Sequence, residues 1–183
     1  MQNYVGKANR QVADVTIEAM DGTQLLKIDT ANTTTQEITR EMVSAMAKGA
    51  ERIRFANPLQ GTMSVEAQIV PIEFYGLMAG LDPEGDGSYV DTTVEGVRKV
   101  SFKNRNTMPP VKVTMETQEL DEEGNITDLK LTAHRASIDV NLTLSQSSEG
   151  DPASTTLAFT LLETADGDFF DIESIDLGVD TDF

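Results

Sequence analysis

The clearest alternation of apolar and polar positions in the chain lies between residues 61 and 81. In its first half every second residue is apolar: Met63, Val65, Ala67 and Ile69. This period of two predicts a strand with one buried and one solvated face. Pro71 has no amide hydrogen for a ladder and suits the first turn of a helix, so the apolar run behind it predicts a helix at Ile72–Ala79 that ends at Gly80. A short apolar helix that directly follows a strand has to pack against the sheet containing that strand.

Similar alternation predicts strands along the rest of the chain. They cover residues 14–20, 24–29, 51–56, 97–103, 111–115, 129–133, 138–144, 157–161 and 169–175. The most regular of them contains Ile138, Val140, Leu142 and Leu144. We expect Ile53, Phe55, Val100 and Phe102 to point inward. The pair Asp21-Gly22 predicts a two-residue type I′ turn between the first two strands.

These elements predict a mainly β (α+β) fold. The spacing of strands and turns favours a β-sandwich or partial barrel with one flanking α-helix and long loops between strands. A length of 183 residues favours a single domain, which we assign to residues 12–176. A polar N-terminal arm at residues 1–11 and an acidic C-terminal tail at residues 177–183 flank it.

The segment from Thr30 to Ala50 supports two interpretations. Thr34 and Glu37 have the spacing of a helical capping box, and a weak apolar stripe follows them. Extended strand ends around a mobile loop fit equally well. Under both interpretations this is a long insertion between strands without a strong core face, and such insertions are usually functional or disordered.

Charge narrows the possible partners. Fourteen basic and 31 acidic residues give a formal net charge of −17. This surface repels phosphate, which argues against binding to DNA, RNA or anionic membranes. The chain has no cysteine, no apolar run that could span a bilayer and no secretory signal pattern, so we expect synthesis in a cytoplasm and no membrane anchoring.

Catalytic and metal-binding patterns are weak, and we expect neither an enzyme nor a cofactor. The single histidine, His134, favours a structural or surface role. The run from Asp82 to Gly87 places oxygen donors at alternate positions, as in a calcium-binding loop, but Thr93 stands where the bidentate Glu would be. Acidic residues beside glycine are more typical of turns, so we expect no metal site.

Two stretches carry a resemblance to a known family. They are GTMSVEAQIVPIEFYGLMAG at residues 61–80 and LTLSQSSEGDPASTTLAFTLLETADGDFFDI at residues 142–172. With the strand–Asp-Gly–strand unit and the long loop that precede them, they resemble the major tail proteins, or tail tube proteins, of tailed bacteriophages. The resemblance covers about residues 12–176.

The resemblance implies a structural function. Proteins of this family form six-membered rings that stack into a hollow tube, through which the genome passes during ejection. It implies that Thr30–Ala50 is a ring-stacking loop, whose candidate residues are Thr30, Thr34, Glu37, Arg40, Met42, Met46 and Lys48. Asp139, Asn141 and Thr143 are candidates for the lumen.

The same resemblance implies partners and a location. The partners would be further copies of the chain and other tail proteins, such as the terminator, the tape measure and the baseplate or tip. DNA would pass without specific binding, and the protein would reside in the virion. An acidic immunoglobulin-like surface or adhesion module, stabilised by calcium, is the alternative, and a carbohydrate-binding or hydrolytic sandwich is disfavoured by an aromatic content of 5%.

Overall fold

The computed structural model describes residues 7–9, 14–29, 31–47, 50–68, 70–121, 124–142 and 154–175. Within these ranges the chain forms eleven strands and one helix. The strands are β1 (Lys7–Asn9), β2 (Asp14–Ala19), β3 (Gln24–Ile28), β4 (Ala31–Thr39), β5 (Met42–Ala47), β6 (Ala50–Ala56), β7 (Gln60–Ala67), β8 (Val111–Asp121), β9 (Ile126–Asp139), β10 (Thr155–Leu161) and β11 (Phe170–Ile175), and the helix is α1 (Ile72–Ala79). The prediction of a mainly β fold with one helix is confirmed.

The hairpin of β8 and β9 is the spine of the main sheet. These are the longest strands, with 11 and 14 residues. Two short strands pair end to end along each outer side of the hairpin: β2 and then β1 along β8, and β10 and then β11 along β9. All of these pairs are antiparallel. Lys7–Asn9, within the predicted N-terminal arm, is therefore part of the sheet.

The main sheet curls around its own core. Its strand order is β3-β2-β8-β9-β10-β7-β4, with β1 and β11 paired beside this path. The Nε2 atom of Gln36 on β4 lies 2.8 Å from the sulfur of Met115 on β8, although several strands separate them in the sheet. The end of the sheet therefore folds back over its middle, which gives the shape of a partial barrel.

Alternating side chains of this sheet form the core, as the sequence predicts. At most 1% of each of the following residues is exposed: Val15, Ile17, Met63, Val65, Val113, Met115, Leu157 and Phe159. Burial of each large aliphatic or aromatic side chain contributes about 1.5–3 kcal/mol. Ile69, which the alternation also places on this face, lies outside the described residues.

Helix α1 packs into the core at the predicted position. Phe74, Leu77 and Met78 are buried, and the helix contacts β3 and β9. Gly80 ends the helix with φ 76° and donates its N–H to the Gly76 carbonyl. A helix this short is stable because its apolar side chains are buried, since isolated helices of this length are marginal in water.

The turn at Asp21-Gly22 differs from the prediction. The amide of Ala19 donates to the Thr23 carbonyl and the amide of Gly22 donates to the Ala19 carbonyl, which is the pattern of a three-residue loop. Only Gly22 needs a positive φ in such a loop, and its φ is 88°. The same pair of hydrogen bonds recurs at Gly124, between β8 and β9, and at Gly167, in the connection from β10 to β11, which both pair with β9.

The strand predicted at residues 97–103 is wrong. The connection from α1 to β8 contains only two isolated bridges, Leu81–Thr107 and Asp91–Lys99, within the described residues. Phe102 is 49% exposed rather than inward, and Val100 is half-buried. The connection instead lies beside α1, and its Arg98 forms an ion pair with Glu73 of that helix. Alternation alone does not make a strand when the segment does not pair with a sheet edge.

The strand predicted at residues 138–144 is wrong for residues 140–142, which lie outside any strand, while residues 143–144 lie outside the described residues. Ile138 belongs to β9, which runs without a break from Ile126 to Asp139, and Val140 is 55% exposed. The polar residues His134 and Arg135 do not interrupt β9 because it pairs with β8 on one side and with β11 and then β10 on the other. The ladder of backbone hydrogen bonds therefore sets the limits of this strand.

Candidate assembly surface

The strands within residues 31–47 and 50–67 form two antiparallel pairs, one beyond the other, with a break between them. In the first pair β4 pairs with β7, from Ala31–Ala67 to Thr39–Gln60. Both strands belong to the main sheet. In the second pair β5 pairs with β6, and these two strands form a separate two-stranded sheet. We call residues 40–59, the part beyond the Thr39–Gln60 pair, the arm. The helical interpretation of residues 30–50 is wrong, because both of its described halves are extended.

The break between the two pairs is a defined joint. The Asn57 amide donates to the Glu41 carbonyl at 2.9 Å, and its side-chain amide lies 3.5 Å from the Glu41 carboxylate. Pro58 follows and has no amide hydrogen with which to continue the ladder. A cavity of about 390 Å³ beside the joint is lined by residues from the arm and from the turn before β11, among them Arg40, Leu59, Glu163 and Phe169.

One face of the arm carries a cluster of apolar side chains. In the β5–β6 register Val43 lies opposite Phe55, and Ala45 lies opposite Ile53. Residues opposite each other in an antiparallel pair point to the same side of the sheet, so these four form one patch, which we call the apolar face. Val43 is 50%, Ile53 54% and Phe55 56% exposed. The inward orientation predicted for Ile53 and Phe55 is therefore wrong, because the arm projects away from the core.

An exposed patch of this kind points to a binding partner. A two-stranded sheet by itself is marginally stable in water, and three large apolar side chains on one face gain free energy when another surface covers them. Clusters of exposed apolar residues on soluble proteins commonly mark interaction sites. The opposite face carries Met42 and Met46, which are 52% and 64% exposed. The arm is thus the most apolar exposed element of the described chain.

The residues predicted for the ring-stacking loop are divided between body and arm. Thr34 and Glu37 lie on β4 and pair with Val65 and Thr62 in the main sheet. Arg40 lies at the joint. Met42 and Met46 lie on β5. Thr30 and Lys48 lie outside the described residues.

The sequence prediction missed the second half of the arm. Ile53 and Phe55 lie on β6 and complete the apolar face, yet β6 was assigned to the core. The signal was present in the sequence, because two alternating runs flank Lys48-Gly49 as in a hairpin.

The residues predicted for the lumen do not share a strand face. Asp139 is the last residue of β9, and its carboxylate accepts a hydrogen bond from the Thr160 hydroxyl at 3.0 Å. Asn141 is exposed beyond the end of the strand. Thr143 lies outside the described residues.

A broader polar surface lies on the outer face of the main sheet. Asp14, Glu116, Lys130 and Glu173 lie side by side on neighbouring strands. A groove of about 350 Å³ crosses this row and is lined by Asp14, Glu116, Asp128 and Lys130, among others. The groove is therefore acidic overall.

The acidic residues considered as calcium ligands are engaged in turns and ion pairs. Asp82 pairs with Lys103 and with Arg105, whose Nε atom lies 3.4 Å away. The hydrogen bond from Lys103 and that from the Glu84 amide lower the pKa of Asp82 below its usual value. The hydroxyl and amide of Ser88 similarly lower the pKa of Asp86. Within the described ranges, no group of three or more histidine or carboxylate side chains could hold a metal ion.

His134 has a cross-strand partner. Its Nε2 atom lies 2.8 Å from the carboxylate of Asp171 on β11. Since β11 pairs only with β9 among the described strands, this contact helps to fix the last strand to the sheet.

Two further findings bear on function. No helix in the described part of the chain is long and apolar enough to span a lipid bilayer. No protein-family model matches the chain, and no curated protein matches it significantly.

Proposed function

We propose that this protein is a structural subunit of a bacteriophage tail tube, which polymerises as stacked hexameric rings into a hollow conduit for DNA. The observation that carries the proposal is the arm, a separate two-stranded sheet with an exposed apolar face. A monomeric protein gains nothing from such an element, whereas a subunit that reaches its neighbour buries it. The resemblance of residues 61–80 and 142–172 to tail tube proteins selects this type of assembly among the possible ones.

The open sheet supports ring formation. The two ends of the strand order are β3 and β4, and neither has a second strand partner among the described residues. Unpaired strand edges favour pairing with another chain, and closing strands into a larger barrel removes such edges. Rings would thus satisfy backbone groups that the single chain leaves to water.

The charge supports a role in conducting DNA. A net charge of −17 repels the DNA backbone, so DNA could slide through a tube of this protein without adhering to it. In this proposal the protein resides in the virion tail. It contacts the proteins that terminate the tube, measure its length and form its baseplate or tip.

Negative-stain electron microscopy of the purified protein at high concentration in moderate salt tests the proposal. We expect six-membered rings or hollow tubes. Uniform monomers over the whole concentration range, also after addition of tube fragments as seeds, would contradict it.

Removing the arm tests whether it is needed for polymerisation. Deletion of residues 30–50 would remove β4, which belongs to the main sheet, so the better variant replaces residues 40–59 by Asn-Gly. Thr39 and Gln60 pair directly, and Asn-Gly forms a two-residue turn that can join them. We expect a folded monomer with the circular dichroism spectrum of a β protein and no tubes. Tubes formed by this variant would refute the role of the arm.

A further inference from the structure

Most of the connection between α1 and β8 adds no buried residue to the core. We call its residues 82–106 the strap, and none of them is buried. The isolated bridge between Leu81 and Thr107 closes the strap at its base. Its backbone hydrogen bonds, such as those between Asp91 and Lys99, join strap residues to one another. Segments with few buried contacts are those that open locally at a low cost in free energy.

Polar contacts hold the strap to both ends of α1. In the first turn of the helix Glu73 pairs with Arg98, and the two side chains are 38% and 52% exposed. In the last turn the side-chain amide of Asn106 donates to the Ala79 carbonyl at 2.8 Å. Exposed ion pairs contribute little to stability, and salt weakens them further. These contacts therefore favour a closed strap by only a small free energy.

Gly76 shows how closely the strap approaches the middle of the helix. Glycine is an unfavourable residue inside a helix, where alanine is the most favourable one. A methyl group at Gly76 would, however, lie 2.7 Å from the Tyr89 carbonyl oxygen and 3.1 Å from a methyl group of Val90. Gly76 therefore allows the strap to close on α1, although it makes the helix itself less stable.

We infer that the strap is a separate unit that opens from α1 while the helix and the sheets stay folded. Opening breaks the contacts at Glu73, Gly76 and Ala79 and uncovers this side of the helix. Raised salt favours the open strap, because it screens the ion pair in the first turn. Since all of these contacts lie within one chain, the strap opens in this way whether or not the protein forms tubes.

Trypsin measures the opening, because Arg98, Lys99, Lys103 and Arg105 provide cleavage sites within the strap. Mass spectrometry of the fragments distinguishes these cuts from cuts elsewhere. When the strap closes faster than trypsin cuts, the cleavage rate reports the population of the open strap. A synthetic peptide of residues 82–106 gives the rate for a permanently open strap, and we expect the protein to be cut at least about tenfold more slowly.

Urea separates opening of the strap from unfolding of the whole chain. The effect of urea on a transition grows with the surface that the transition exposes. We expect cleavage in the strap to accelerate with urea at most about a third as steeply as global unfolding does. An equal dependence would overturn the inference, because the strap would then open only when the sheet unfolds. Cleavage of the protein as fast as of the peptide would also overturn it, because the strap would not close.

The sheet topology predicts the state of the cut protein. The strand β8 follows the strap but pairs with β2, and β7 precedes the strap but pairs with β10. We therefore expect the two fragments of a strap cut to stay together and to elute from a sizing column with the intact chain. Separation of the fragments without denaturant would overturn the inference, because the sheet would then depend on an intact strap.

Glu73→Gln tests the ion pair, and Glu18→Gln is its matched control. Both variants remove a carboxylate from an exposed ion pair, but Glu18 pairs with Lys112 within the main sheet, at 3.4 Å. We expect Glu73→Gln to speed cleavage in the strap about two- to fivefold at low salt. The control should leave the rate unchanged, and raised salt should remove the difference between the variants. Equal rates for both variants at low salt would contradict the contribution of Glu73 to the closed strap.

Gly76→Ala tests the close approach of the strap. Alanine favours the helix but displaces the Tyr89 backbone, so the helix and the strap respond in opposite directions. We expect cleavage in the strap to become at least about tenfold faster, with only a small change in the urea midpoint of global unfolding. A large fall of this midpoint without faster cleavage in the strap would show that the strap and the core form one unit, and would overturn the inference.

Discussion

At the scale of single residues, Gly80 is a position where any side chain would disturb the fold. It ends α1 with φ 76°, a conformation that residues with a Cβ atom rarely adopt. A methyl group there would lie 2.5 Å from the Met108 sulfur and 2.6 Å from the Thr107 carbonyl oxygen. Glycine is therefore needed both for the backbone conformation and for the close approach of the connection to the helix.

Substitution of Gly80 by alanine tests these two requirements. Gly87→Ala is the control, because Gly87 has φ 82° and no atom within 4 Å of an added methyl group. We expect Gly87→Ala to cost about 1–2 kcal/mol from its backbone conformation alone. Gly80→Ala should cost a further 1–3 kcal/mol, roughly, from overpacking. Urea unfolding measures the loss of unfolding free energy in both variants. Equal losses would show that the contacts at Gly80 relax without cost.

The lowered pKa of Asp82 predicts that the stability of the folded protein depends on pH in the acid range. Its pKa lies below the ordinary value of 3.8, mainly because of the hydrogen bond from Lys103. A lowered pKa means that the folded protein binds protons less readily than the unfolded chain. The stabilisation is therefore present above the ordinary value and is lost as pH falls through the lowered value.

The variant Asp82→Asn keeps an oxygen for the Glu84 amide but removes the charge. We expect it to melt at a lower temperature than wild type at pH 7 and to approach wild type as pH falls through the lowered pKa of Asp82, where Asp82 itself becomes protonated. Glu95→Gln, which removes another exposed carboxylate of the same connection, is the control. A difference in melting temperature that stays constant down to pH 2 would argue against the contribution of this ion pair.

At the scale of elements, two phenylalanines on strands have opposite surroundings. Phe159 on β10 is fully buried, whereas Phe55 on β6 is 56% exposed on the arm. Both lie on strands with similar alternation. Their different surroundings come from the other elements. In the main sheet β10 lies between β7 and β9, while β6 pairs with β5 alone among the described strands.

Alanine substitution separates these roles. Phe159→Ala should lower the free energy of unfolding by about 3–5 kcal/mol, because it leaves a cavity in the core. Phe55→Ala should change the stability of the monomer by no more than about 0.5 kcal/mol. Denaturant unfolding at low protein concentration measures both. A large loss for Phe55→Ala in the monomer would mean that the arm packs on its own body.

At the scale of the whole molecule, shape and charge act together. The curled sheet buries its core. Among the described strands β3 and β4 are its edges, and the arm extends from β4. The body carries nearly all of the negative charge. In the proposed function, a subunit with these properties would bind its own copies and repel other polyanions.

Gel-shift assays with duplex DNA test this last property. We expect no retardation of DNA by the monomer or by its assemblies at physiological salt, because the net charge of −17 opposes contact with phosphates. The arm, which carries Arg40 and Arg54, is the element that could defeat this expectation. A complex that weakens steeply with added salt and disappears after replacement of residues 40–59 would show that the arm binds DNA.

The amino-acid sequence alone determined the local elements. The alternation around Val65 and Leu157, the proline before α1 and the glycine after it predicted strands and a helix, because these patterns depend on backbone geometry and on nearby residues. The net charge is also a property of the sequence alone. These features establish a mainly β fold with one helix.

Only the tertiary structure decided which faces are covered. Ile53 and Phe55 have the alternation of core residues, yet they lie on a hairpin that leaves the body, because burial depends on neighbours far away in the chain. For the same reason β9 continues past His134, supported by strands on both sides, while residues 97–103 find no partner strand. Where the arm begins was likewise decided by the fold, through the pairing of Thr39 with Gln60.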